Sequence, residues 1–113
     1  MRVFILALGI FLCTAGSAPA HPPASIDVKY NTSAKNFIAI IDHRVSNPTK
    51  HYIRKVIIKL NGKQVAEQYF TKQSTVNEQQ IIFTVGDITI GDLLEIEAFC
   101  NVGGRRSQPV RIQ

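Results

Sequence analysis

The sequence predicts an all-β protein: an immunoglobulin-like sandwich of about seven antiparallel strands, preceded by a signal peptide over residues 1–20. Three observations carry that expectation. From Ile26 onward apolar residues recur with a period of two, not 3.6. Turn signals built on Asn, Gly, Asp and Pro separate the runs. No long helical pattern follows the leader. Seven short strands with turns between them fit two packed antiparallel sheets.

The elements follow in order. Ile26, Val28 and Tyr30 alternate with Asp27 and Lys29, which makes a first strand. Residues 37–42, FIAIID, form a short apolar run that reads as a central strand. Residues 43–51 are a polar loop containing the turn signal Asn47-Pro48. Residues 52–60 are the clearest strand, with Val56, Ile58 and Leu60 on one face and Lys55, Ile57 and Lys59 on the other. Asn61-Gly62 follows, two residues that accept the positive φ of a type I′ hairpin. The return strand spans residues 64–71, and a polar loop over residues 72–77 leads to a strand over 78–85 that Gly86 and Asp87 end. A turn at Gly91-Asp92 opens residues 93–100, where Leu94, Ile96 and Ala98 oppose Glu95 and Glu97. Glu95 and Glu97 share a face, and a solvated strand face accounts for them. Gly103-Gly104 closes this strand, and residues 106–112 form the last one. Pro109 cannot donate to a ladder, so this strand belongs at an edge.

The first twenty residues read as an address, not as fold. Arg2 precedes an apolar run over residues 3–12, too short to span a bilayer as a helix, and Ala18-Pro19-Ala20 has the A-x-A form of a cleavage site. Cleavage after Ala20 leaves residues 21–113 as one domain in the periplasm or outside the cell. Cys13 follows Leu12 where a lipoprotein signal needs a small residue, so no stable membrane anchor is expected after cleavage. The net charge of the whole chain is +5. Its basic residues are scattered, apart from Arg105-Arg106, and there is no Trp, which predicts a solvated cationic surface and no nucleic-acid partner. Loss of Cys13 leaves Cys100 without an internal disulfide partner. An unpaired thiol in an oxidising compartment is buried, joined to another chain, or held by a metal.

No G-x-S-x-G, phosphate loop, H-E-x-x-H or C-x-x-C occurs. What remains is His21, His43, His51 and Cys100, none of them in the middle of a predicted strand. Loop ends on a rigid scaffold are where sites are built. Imidazole with thiolate suits iron, copper or zinc, not magnesium or calcium.

Four segments resemble the ferrous-iron domain of superoxide reductases and desulfoferrodoxins. They are His21-Pro22-Pro23, Lys50-His51-Tyr52-Ile53, Asn61-Gly62-Lys63 and the run from Ala98 through Cys100-Asn101 to Gly103-Gly104. Their order and rough spacing hold over nearly all of residues 21–113. The resemblance implies an immunoglobulin-like sandwich and an Fe2+/Fe3+ centre that reduces superoxide to hydrogen peroxide. It implies His21, His43 and His51 as equatorial ligands and Cys100 as the axial thiolate. Superoxide is then the small anionic substrate, Lys50 or Arg44 the group that attracts it, and an external electron donor a required partner.

The chain departs from the family pattern in the loop after His43. That loop is about two residues longer, and Arg44 stands where the family has proline, so Asn47-Pro48 is a second candidate for the family's H-P position. Gly103 occupies the place of the fourth histidine. Three histidines and a thiolate also suit zinc or copper. With His21 as the mature N-terminus, its α-amino group and imidazole form a Cu(II) chelate. A metal carrier, a sulfur-carrier accessory module, and a structural domain with a vestigial site are the non-enzymatic alternatives.

Overall fold

The computed structural model describes residues 21–113. The signal-peptide reading of residues 1–20, including Cys13 and the Ala20 cleavage site, lies outside the described residues. Seven strands form: β1 Ser25–Asn31, β2 Asn36–Asp42, β3 Ile53–Leu60, β4 Lys63–Tyr69, β5 Glu78–Phe83, β6 Leu93–Cys100 and β7 Arg105–Arg111. All pair antiparallel, in a three-stranded sheet of order β1-β2-β5 and a four-stranded sheet of order β4-β3-β6-β7. This is the immunoglobulin-like sandwich the strand pattern predicts.

The core lies between the sheets. Ile26, Phe37, Ala39, Ile41, Ile81 and Phe83 face inward from one sheet, and Ile53, Val56, Ile58, Leu94, Ile96 and Ala98 from the other. Alternation along β2 buries Phe37, Ala39 and Ile41 while Ile38 and Ile40 point away. Ile53 and Val56 are both buried although they are three residues apart, because the β3–β6 register shifts between Ile53 and Lys55. Such a bulge adds a residue without losing the inward face further along. β3 therefore starts at Ile53, and Pro109 lies in an edge strand as expected. At the β3–β4 hairpin Asn61 has φ 52° and Gly62 φ 84°, both in the positive region a type I′ turn demands.

One expectation needs correction. Glu97 does not sit on a solvated face. It is 8% exposed, bonded to the Arg105 guanidinium and 3.7 Å from Lys59 Nζ. A cross-strand cation on β7 and another on β3 cover it, which the alternation of β6 alone does not reveal.

Three connections are hairpins within a sheet (β1–β2, β3–β4 and β6–β7), and three cross between sheets. The register sets one end of the sandwich. Ser25 pairs with Asp42, Asp42 with Glu78, and Ile53 with Cys100. The segment before β1, the crossing loops after β2 and before β5, and the β6–β7 turn consequently meet at one rim.

Candidate metal centre

That rim receives all four residues picked from the sequence. His43 directly follows β2, His51 lies two residues before β3, Cys100 is the last residue of β6, and His21 lies four residues before β1. The structure brings His21, His43 and His51 together: one ligand nitrogen from each lies within 4.8 Å of the others, a group that can hold a metal ion. Their ring centroids are 4.8–4.9 Å apart. His51 Nε2 lies 3.1 Å from Cys100 Sγ. Cys100 is a free, buried thiol. His43, not Asn47, occupies the cluster. Asn47 turns its carbonyl and side chain to the local loop, accepting from the amides of Thr49, Lys50 and His51.

Each side chain is placed by contacts of a different kind. His21 belongs to a strap laid across the rim. Pro23 is fully buried, its carbonyl accepts from Arg106 Nε at 2.6 Å, and the Ala24 amide donates to Asp42 O at 2.7 Å. The strap rests on Gly104. A Cβ there would lie 2.9 Å from Pro22 N and 3.1 Å from the His21 carbonyl carbon, and Gly104 has φ 88°. Glycine is therefore required for both space and backbone.

Asn101 clamps His51 and Cys100 together. Its Oδ1 accepts from the Tyr52 amide at 2.8 Å, its Nδ2 donates to Lys50 O at 3.0 Å, and its amide donates to Tyr52 O at 2.9 Å. The Cys100 amide donates to Gly104 O at 3.0 Å, which closes the turn beneath the strap.

His43 is 1% exposed and held by Gln73, itself 3% exposed. His43 Nδ1 is 2.8 Å from Gln73 Oε1, while Nε2 is buried with no hydrogen-bond partner. Burial lowers the His43 pKa below its ordinary 6.5; the Gln73 bond, a nearby backbone group of His21 outside hydrogen-bond geometry and the charge of Asp42 oppose this, and the charge of His21 adds to it. Burial also lowers the pKa of His51, and the charges of His43 and His21 lower it further. Both imidazoles are thus held toward the neutral form that a metal requires.

A buried imidazole nitrogen without a partner is costly unless something occupies it. A cation among the three rings would remove that cost. His51 Nε2 and Cys100 Sγ, 3.1 Å apart, are at hydrogen-bond distance from each other, so the thiol borders the histidine group. The three histidines could therefore hold a metal ion.

A cleft of about 500 Å³ opens on the cluster, lined by His21, Arg44, Ser46, His51 and Asn77 among others. Arg44 lines it. Lys50 does not; it is exposed and engages the rim through its carbonyl. Gln73, Arg106 and the space requirement at Gly104 escaped the sequence reading. Gln73 sits 30 residues from His43 in a polar loop, so no local pattern marks it. Asn101, adjacent to Cys100, was the one supporting residue with a visible signal. No family model, curated protein or solved structure matches this chain.

Proposed function

We propose that this is an exported iron protein, periplasmic or secreted, that reduces superoxide to hydrogen peroxide. Its ligands are His21, His43, His51 and Cys100. The observation that carries the reading is the convergence of three imidazoles, one with an orphaned buried nitrogen, beside a buried thiol 3.1 Å from His51. Hard cations such as magnesium avoid this donor set, and iron, copper and zinc accept it. The resemblance to the superoxide reductase segments selects iron among these.

Iron, when bound, would supply one electron, so that superoxide with that electron and two protons gives hydrogen peroxide, and an external donor would restore the electron. The chain's own residues do the remaining work. The cleft at His21 and His51 admits a small anion. Arg44 on its lining attracts that anion, with Lys50 a more distant positive charge. Cys100 would donate electron density to a metal that it helps to hold. The buried His43 keeps water from one side.

The test is reconstitution of the exported protein with Fe(II), followed by metal analysis and superoxide turnover, for wild type and Cys100→Ser. The wild type should bind about one iron, show a thiolate-to-metal charge-transfer band once oxidised, and consume superoxide. Cys100→Ser should lose band and turnover while remaining folded. A metal-free wild type after reconstitution would refute the reading. Gly103 favours a second reading, a non-enzymatic metal carrier. It stands at the family's fourth histidine position with φ 140°, which a histidine adopts only under strain. Metal binding without turnover would select it.

A further inference from the structure

The Gln73 side chain forms four hydrogen bonds from a position 3% exposed to solvent, in a loop with no regular structure. Its Nε2 donates to His43 O at 2.6 Å and to Thr75 O at 3.0 Å. Its Oε1 accepts from the Ile53 amide at 3.2 Å and lies 2.8 Å from His43 Nδ1. These neighbours leave the amide one orientation. Turned over, its oxygen would face the carbonyl oxygens of His43 and Thr75 and its NH2 would face the Ile53 N–H donor.

The consequence falls on His43. Oε1 is an acceptor only, so Nδ1 must carry the proton and donate. The other tautomer would place two lone pairs face to face at 2.8 Å. A neutral ring has a single N–H, so Nε2 keeps its lone pair, and this is the buried atom that has no partner. We propose that Gln73 is a positioning residue that locks His43 as the Nδ1–H tautomer and presents its Nε2 lone pair to the metal. The presentation half rests on the metal reading above; the tautomer half does not. A carboxylate or carbonyl on the far nitrogen is the usual partner of a metal-bound histidine. Here a side-chain amide takes that part, and its two donor bonds tie the ligand to the loops before β3 and β5.

The experiment reads the tautomer in the metal-free protein, from long-range nitrogen–proton NMR correlations of ¹⁵N-labelled histidine at neutral pH. Wild-type His43 should show Nδ1 protonated and Nε2 bare. Gln73→Glu costs stability, because its second oxygen meets the His43 and Thr75 carbonyls, but it keeps an acceptor at Nδ1 and should keep that tautomer. Gln73→Met removes it at similar volume, and should leave a mixture of tautomers with a roughly 10–100-fold weaker affinity for Co(II). A merely structural glutamine would leave the tautomer unmoved in both variants. Nε2–H in wild type, or an unchanged tautomer in Gln73→Met, overturns the proposal. If Gln73→Met does not fold, wild type and Gln73→Glu still decide the tautomer. A wild type that takes up no Co(II) while showing the Nδ1–H form would overturn the presentation to a metal together with the proposed function, and leave the lock itself standing.

Discussion

The two ends of the sandwich differ in whether their polar bonds are buried: Asn61, Asp92 and Arg111 make side-chain hydrogen bonds at the far end, but exposed ones. At the histidine end, order comes from specific bonds: Gln73 and Asn101 each make three or more, Arg106 grips a carbonyl, and Gly104 supports the strap. At the far end, Val28, Tyr30, Phe37, Ile88, Ile90, Val110 and Ile112 line an apolar notch of about 420 Å³. Apolar packing is non-directional, so it tolerates rearrangement. A polar rim with one allowed arrangement does not, because each broken bond leaves a buried group unsatisfied. The difference teaches where precision resides: the core and notch hold the fold, and the rim holds three rings at fixed angles.

Substitutions can break that contrast, and the largest effect belongs at the strap. Gly104→Ala forces a methyl onto the His21–Pro22 backbone at a φ of 88°. Strain of that kind costs about 1–3 kcal/mol before the clash is counted. We expect a loss near the top of that range in urea unfolding, together with loss of metal binding. A stable variant with intact binding would show that the strap does not depend on Gly104.

Metal should sharpen the contrast. A ligand at one hundred times its Kd stabilises the folded state by about 2.7 kcal/mol. Amide exchange should slow at Val45, Ile53 and Asn101, whose amides bond within the rim. It should change little at Asn61 and Ile112 at the far end. Uniform protection of both ends would argue against a local site.

Acid should weaken the same rim in the metal-free protein, by a smaller amount. Burial lowers the pKa of His43 and of His51 from the ordinary 6.5. The unfolded chain therefore binds more protons than the folded one once pH falls below about 6.5, and stability declines with falling pH. The urea midpoint should be higher at pH 7.5 than at pH 5. His43→Gln should flatten that slope, and a slope unchanged by it would assign the effect elsewhere. The depressed pKa of Asp92 acts only below this window.

The smallest effect is expected at the notch. Ile90 is 80% exposed, so Ile90→Ser should alter stability by no more than about 0.5 kcal/mol and leave metal binding untouched. A large loss there would mean that the far end is not the tolerant one.

Much of this arrangement is legible in the sequence alone. Strand pattern is local, so the alternation in β1, β3 and β6 and the Asn61-Gly62 turn could be read residue by residue. The four candidate ligands stood out because they were the only soft or imidazole donors after residue 20. Glu97 was misread, because its burial depends on Lys59 and Arg105 from neighbouring strands. Gln73 was invisible because glutamine in a polar loop is ordinary until a particular histidine is placed 2.8 Å away.

By itself, then, the amino-acid sequence determined the class of fold and the stock of donor atoms, since period-two patterning, turn residues and side-chain chemistry are properties of short segments. Only the tertiary structure decided that His43 and not Asn47 joins the cluster, that Arg44 and not Lys50 lines the cleft, and that Gln73 governs a ring 30 residues away. Those outcomes depend on strand register: pairing Ser25 with Asp42, Asp42 with Glu78, and Ile53 with Cys100 carries segments from distant parts of the chain to one rim. A shift of one residue would turn the inward faces outward, so burial of the core is what holds the three histidines in place.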